Sequence, residues 1–391
     1  MKYYFILGKN PELSKAEIES VLELFDYKFK IIEFKKNILI LEMPRKLDVE
    51  VINQRLGGTV KIGQIIDQVN DLEKIANKFC QLIKCQSGKL HFGFSLYSLS
   101  DKINLAKKKK QIKPIAMEIK RKMREQKHLN SRWVISQEIE LSSVIVKKNQ
   151  LLKYGSEICL FFSDQQILIG QTLAVQAFAE FGARDYKRPS RDQTAGMLPP
   201  KLARIMLNLA KIRPEAKILD PFCGSGTILQ EALILGYQNL IGFDSSDNAI
   251  KYTQDNLTWL ADKYNFDLKN IQLNQVDVKN LNQHLDEQSI DCIITEPYLG
   301  PPLKGNEPEI QINKNIQELE ELYLEAFKQF QQVLRENGKI VMVIPEFKIK
   351  NKTKQLDLDK IKGFKFLNQE KLIYSRPHQY LWRQIKIFIK K

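Results

Sequence analysis

From Lys201 onward the chain alternates apolar strand-like runs with amphipathic helical ones, and this alternation leaves few folds open. KLARIMLNLA reads as a helix, KILD as a strand, and Thr227–Leu235 as a helix stopped by Gly236. Strand NLIGFD, helix Asn248–Asp262, a short strand near Gln272–Val276, strand IDCIIT, helix Ile316–Leu334 and strand KIVMVI follow. Strands separated by helices of this length pair in parallel, with the helices covering both faces of the sheet. The last two segments, FKFLNQEKLIY and QYLWRQIKIFI joined by SRPH, read as an antiparallel hairpin on the sheet edge. The expected class is therefore α/β, a Rossmann-like, mostly parallel seven-stranded sheet with an antiparallel terminal hairpin.

The preceding half is organised differently, and 391 residues is more than one core usually spans. Residues 1–60 suggest a small α+β lead-in, with YYFIL and KNILILEM as strands around a helix at Lys15–Phe25. Residues 61–175 form a second unit. Its expected strands are Val60–Ile66, Leu90–Leu96, Trp133–Ile135, Ser143–Val146, Ile158–Phe162 and Gln166–Ile169, and its helices Asp71–Ile83 and Ile115–Gln126. Residues 176–200 read as an interdomain linker that presents cations, among them Arg184, Lys187, Arg188 and Arg191. Residues 201–391 are the strand–helix domain.

Composition narrows the setting. With 43% hydrophobic and 27% charged residues the chain is that of a folded globular protein. No apolar run approaches the ~18–20 residues that cross a bilayer, and MKYYFILGKNPELS turns polar too soon for a signal peptide. Five scattered cysteines (Cys80, Cys85, Cys159, Cys223, Cys292) without a CxxC pair read as reduced thiols of a cytoplasmic protein. Four dispersed histidines argue against a zinc site, and no metal is expected.

The net charge of +15 points to a polyanionic partner, nucleic acid first. Residues 101–132 hold twelve Lys/Arg against three acids, a balance of +9 in 32 residues. A helix entered through Pro114 would bury Ile115, Ala116, Ile119 and Met123 on one stripe. Lys113, Lys120, Arg124 and Lys127 fall on another face, next to the Lys107–Lys110 run. Such a face is either a solvated lysine-rich surface or a phosphate-tracking one, and its segregation favours the second.

The densest chemical signal is KILDPFCGSGT at Lys217–Thr227. An apolar strand ends at Asp220, a turn carries Phe222, Gly224 and Gly226, and a helix starts at Thr227. Glycines let backbone approach a ligand, and a helix N-terminus offers unpaired N–H groups. The third glycine of a dinucleotide fingerprint is missing, with Leu229 in its place, and the GxxxxGK[ST] phosphate pattern is absent. An acid ahead of the turn repels phosphate and suits an amine. S-adenosylmethionine, with an amino-acid tail, a ribose and an adenine, meets that requirement. Asp244, with Ser245 after it, ends the next strand where a carboxylate can accept ribose hydroxyls. Asp277 follows the third strand, within reach of an adenine amine. Acids at three successive strand ends suit the ligand-binding edge of an open α/β sheet.

The fourth strand ends in DCIITEPYLG, Asp291–Gly300. An exocyclic amine on a base is a weak nucleophile because its lone pair is delocalised into the ring. The carboxylate of Glu296 and the carbonyl of Pro297 can accept its two N–H bonds, while Tyr298 stacks on the base.

Over most of its length the chain resembles the THUMP-domain RNA methyltransferases that make N2-methylguanosine in tRNA. ARDYKRPSRDQTAGMLPPKLARIMLNLA is similar to that family's linker and first catalytic helix, DPFCGSGT to its cofactor loop, and DCIITEPYLG to its catalytic loop. ILIGQTLAVQAFAEFGARDYKRP resembles the end of its RNA-binding part, and the first residues a ferredoxin-like lead-in. The resemblance implies S-adenosylmethionine-dependent methylation of a guanine amine in tRNA. It also implies a THUMP domain at 61–175 that grips the acceptor end, with Arg184 and Arg188 beside the helical lysines as RNA contacts. One departure is visible: the family loop usually reads Asp-Pro-Pro-Tyr, whereas this chain has Glu296-Pro297-Tyr298-Leu299. An rRNA or DNA amino-group methylase and a non-catalytic RNA-binding module are the other readings. The chain is expected to be a monomer, with room for a small activating partner protein.

Overall fold

In the computed structural model, which describes residues 1–82, 89–191, 197–349, 352–368 and 370–391, the chain falls into two compact units. The first part of the chain runs β1 (Lys2–Leu7), α1 (Pro11–Leu24), β2 (Lys30–Lys35), β3 (Ile38–Glu42), α2 (Val49–Arg55), β4 (Thr59–Val69) and α3 (Lys74–Leu82). It continues through β5 (Lys89–Ser98), α4 (Leu105–Lys110), α5 (Ile112–Lys127), β6 (Asn130–Val134), α6 (Ser143–Lys148), β7 (Gly155–Phe162) and β8 (Ile167–Val175). Among the described residues these strands form one sheet in the order β2-β3-β1-β4-β8-β7-β5-β6.

Period-two alternation decides what each face of that sheet buries. Ile158, Leu160 and Phe162 of β7 pack with Ile115, Ala116, Ile119 and Met123 of α5. The intervening Cys159 and Phe161 pack with Tyr4 and Tyr97 on the opposite face. A buried ion pair, Lys61 with Glu157 at 2.5 Å, lies within the unit, and Ser95 and Thr172 donate to the same carboxylate. One expectation is corrected here. Ser143–Val146, read as a strand from its β-branched run, is the start of helix α6. The Ser142 hydroxyl caps it by accepting the Ile145 N–H at 3.3 Å, and a capped turn outweighs the modest strand preference of SVIV.

The second unit holds residues 12–26, 55–58 and 179–391. Its later elements are α7 (Phe178–Tyr186), α8 (Pro200–Leu209), β9 (Ile218–Asp220), α9 (Thr227–Ile234), β10 (Leu240–Asp244), α10 (Asp247–Tyr264), β11 (Ile271–Gln275) and β12 (Ile290–Thr295). Then come α11 (Glu309–Val333), β13 (Leu334–Ile349), β14 (Lys352–Gln355), β15 (Phe364–Phe366), β16 (Leu372–Tyr374) and β17 (Leu381–Lys390). The sheet order is β11-β10-β9-β12-β13-β17-β15, with β14 on β13 and β16 on β17. The pairs from β11 to β13 are parallel, and β17 is antiparallel to both β13 and the short terminal strands. The sequence-derived sheet is thus present, with β14 added and the strand expected at FKFLNQEKLIY divided into β15 and β16.

Helix α1 follows β1 in the chain but is part of this second unit. Leu13 enters a buried cluster with Leu202, Ile205, Met206 and Leu229. The Glu17 carboxylate accepts the Gly57 and Gly58 N–H groups at 2.8 Å each and the Asn208 side-chain amide at 2.7 Å. A Cβ at Gly57 would stand 2.5 Å from the Lys201 carbonyl, so backbone approaches backbone there.

Candidate active site

The parallel sheet reverses its order between β9 and β12, and the crevice at the carboxyl ends of strands beside such a reversal is where open α/β sheets bind ligands. A cavity of about 660 Å³ opens there, lined by residues from all four predicted strand ends: Asp220, Asp244, Asp277 and Glu296. That volume lies within the ~300–1,000 Å³ of small-molecule sites.

Asp220 ends β9 and is 1% exposed. It accepts the Thr295 hydroxyl at 2.7 Å and the Phe222 N–H at 3.3 Å. Burial pushes its carboxyl up to about 7 against these bonds, and the charges of Asp244 and Glu296 push the same way. Asp244 ends β10 and organises the turn. One oxygen accepts the Gly224 N–H and the other the Ser246 N–H, each at 3.0 Å. Each oxygen keeps a second lone pair for a ligand hydroxyl. Exposed Asp277 caps the following short helical turn by accepting the Lys279 N–H at 2.9 Å.

The glycines divide their work. Gly224 lines the cavity with φ +53°, and a Cβ there would meet no atom within 4 Å. Gly226, expected at the ligand, is not among the lining residues. At φ +76° it caps α9, and a Cβ would come within 2.8 Å of Thr253. Phe222, Thr227 and Ser245 line the cavity.

Glu296, Pro297 and Tyr298 form another part of the wall. Pro297 is buried, whereas Tyr298 is 58% exposed with its carbonyl held by the Tyr323 hydroxyl at 2.9 Å. An exposed aromatic on a fixed backbone can stack on an incoming base. Glu296 is paired with Arg383 of β17, Nε to Oε1 at 2.5 Å and Nη2 to Oε2 at 3.2 Å. Sequence reading missed Arg383. Its signal was a lone guanidinium in an apolar terminal strand, a placement that calls for a buried partner. Arg191, read from the sequence only as a linker cation, and Tyr252, not singled out, also line the cavity.

Two expected RNA contacts are corrected. Arg184 is 2% exposed and donates to Glu231 of α9 at 2.5 Å, and Arg204 meets the same carboxylate at 2.6 Å. Arg188 is 3% exposed and donates to the Thr227 hydroxyl at 2.7 Å. Asn256 further ties the segment down, bonding Ser190 through its N–H and carbonyl and reaching the Ser225 carbonyl. These cations brace the start of α9 from inside and are not presented to RNA. The helical set fares differently. On α5 Lys113, Lys120 and Arg124 are exposed and Lys127 is half-buried, while the expected apolar stripe is buried. Arg121 is engaged by Glu118 and Glu125, each at 2.8 Å.

Among the described residues no acid, histidine and cysteine cluster could hold a metal, and no helix is long and apolar enough to cross a membrane. Cys80, Cys159, Cys223 and Cys292 are buried free thiols, and Cys85 lies outside the described residues.

Comparison with known proteins agrees with this geometry. A family model described as RMKL-like, methyltransferase domain matches residues 187–368, and one described as DNA methylase matches 57–255. The tRNA (guanine(10)-N2)-dimethyltransferase of Methanothermobacter thermautotrophicus is 25% identical, covering 97% of this chain and 96% of that one. A protein of Methanothermococcus thermolithotrophicus named "Probable tRNA (guanine(10)-N2)-dimethyltransferase" is 35% identical over 28% of this chain and 68% of its own length. The crystal structure of TrmN from Thermus thermophilus matches over all of both chains with a TM-score of 0.57 at 12% identity, a likeness of fold. Fold and acid-lined crevice together define a Rossmann-like methyltransferase. Within that class, the chain belongs to the family of the tRNA guanine-N2 methyltransferases.

Proposed function

We propose that the chain transfers methyl groups from S-adenosylmethionine to the exocyclic N2 amine of a guanosine in tRNA. The observation that carries this reading is the convergence, in one cavity, of an acidic strand-end set suited to a cationic ligand and the Glu296-Pro297-Tyr298 loop suited to an amine on a planar base.

The residues present fit the cofactor. Asp220 would pair with the cationic amine, the Asp244 oxygens would accept the ribose hydroxyls, and Asp277 would accept the adenine amine. Gly224, at a left-handed φ of +53° that favours glycine, leaves its backbone open to the cavity. Bound there, S-adenosylmethionine supplies an electrophilic methyl on a sulfonium. Glu296 and the Pro297 carbonyl accept the two N–H bonds of the guanine amine, aiming its lone pair, and the carboxylate is placed to offset the positive charge that develops on nitrogen. Tyr298 holds the base by its face. The chemistry rests on orientation and charge placement, the two contributions a rigid strand-end loop can make.

The exposed cations of α5 support an RNA grip by residues 61–175, read as a THUMP domain, separate from the chemistry. Asp244→Ala should abolish cofactor binding by calorimetry, while Glu296→Ala should retain it and lose turnover. A fully active Glu296→Ala would refute the assigned roles. The match to a DNA methylase model supports a second reading, an amino group on DNA as acceptor. Labelled methyl incorporation into duplex DNA but not tRNA would establish it.

A further inference from the structure

The pairing of Glu296 with Arg383 carries a role that the motifs do not contain. β12 and β17 both flank β13, so their backbones stand two strand spacings apart, roughly 9–10 Å. The Glu296 side chain from the end of β12 and the Arg383 side chain from β17 close that gap over β13, meeting side-on through two hydrogen bonds. Both groups are mostly buried, 13% and 15% exposed, and both line the cavity. An aspartate at 296 would fall one carbon–carbon bond short of this geometry.

A glutamate has one more rotatable bond than an aspartate and is correspondingly less defined at the end of a strand. A planar guanidinium that engages both oxygens removes that freedom and leaves the outward lone pairs for another donor. Arg383, with Arg191, places positive charge in a cavity that also gathers Asp220, Asp244, Asp277 and Glu296. On the proposed reading of the reaction, on which this inference rests, we propose that Arg383 is a positioning residue. It fixes the Glu296 carboxylate at the height and angle where it receives the N–H of the methyl-accepting amine.

The test is steady-state methylation of tRNA with labelled S-adenosylmethionine, alongside calorimetry with S-adenosylhomocysteine. Arg383→Gln should lower kcat by about 10²-fold, the scale of a ~1 Å misplacement, with ligand affinity changed less than about threefold, or about 0.7 kcal/mol at ~1.4 kcal/mol per decade. Arg383→Lys keeps the charge without the fork and should recover part of the loss. Glu296→Gln combined with Arg383→Gln should be no slower than Glu296→Gln alone, because Arg383 acts through the carboxylate. An undiminished or raised kcat in Arg383→Gln would overturn the proposal, the raised value marking an inhibitory latch. So would a double variant slower than Glu296→Gln by the full factor, which marks a purely structural role. A wild-type chain that labels no guanosine N2 in tRNA overturns the reaction reading itself. Activity in the wild type with normal activity in Arg383→Gln overturns only the positioning role.

Discussion

The Thr295 hydroxyl donates to the buried Asp220 carboxylate at 2.7 Å, which ties the end of β9 to the last residue of β12. One residue beyond Thr295 stands Glu296, so the acid proposed to meet the cofactor and the acid proposed to meet the acceptor amine share a single connection. Both strands are central and parallel, buried on either face.

Thr295→Val keeps the shape of that connection and removes its hydrogen bond. A buried acceptor that loses a donor costs about 1–3 kcal/mol, and here the loss falls on the ionised form of Asp220. Affinity for S-adenosylhomocysteine should fall by roughly tenfold, measured by calorimetry at pH 7. An unchanged affinity would separate Asp220 from cofactor recognition.

The same carboxyl predicts a pH dependence. Burial holds Asp220 at about 7, so below that pH it is largely protonated and must release a proton to pair with a cationic amine. Cofactor affinity should therefore rise as pH increases from about 6 to about 7.5, with proton release seen as a buffer-dependent binding enthalpy. Asp220→Asn should bind more weakly and lose the slope. A wild-type affinity that falls with rising pH would reverse the assignment.

Glu231 is fully buried and carries both Arg184 and Arg204. Removing it leaves two guanidinium groups without their shared counter-charge, and breaking such a pair typically costs ~3–5 kcal/mol. Glu231→Ala should show a thermal unfolding transition lowered by many degrees, and a shift of a degree or two would show that the cluster is not a structural anchor.

On α5, Lys120 and Arg124 are exposed and form no ion pair among the described residues. Lys120→Gln with Arg124→Gln should weaken tRNA binding and lower the slope of log affinity against log salt by about one for each phosphate no longer neutralised. Cofactor binding should be untouched. An unaltered slope would return this helix to a solvated surface.

The catalytic half was legible because its logic is local. Each of Asp220, Asp244, Asp277 and Glu296 closes or follows its own apolar strand, and parallel pairing brings those ends to one edge without further information. What escaped was the side-chain pairing set by long-range packing. Arg184 and Arg188 look like linker cations until Glu231 and Thr227 are seen to receive them, and Arg383 reaches Glu296 across 87 positions of chain. Ser143–Val146 was misread as a strand because a short β-branched run does not distinguish a strand from a capped helical turn. The place of α1 in the second unit rests on Glu17, whose partners Gly57, Gly58 and Asn208 are 40 or more residues away.

The most direct measurement of the central claim is methylation of bulk tRNA by the purified chain with methyl-labelled S-adenosylmethionine, followed by nucleoside mapping. The account predicts label in N2-methylated guanosine, lost with Glu296→Ala while cofactor binding persists. Label confined to any other nucleoside, or none despite bound cofactor, would contradict it.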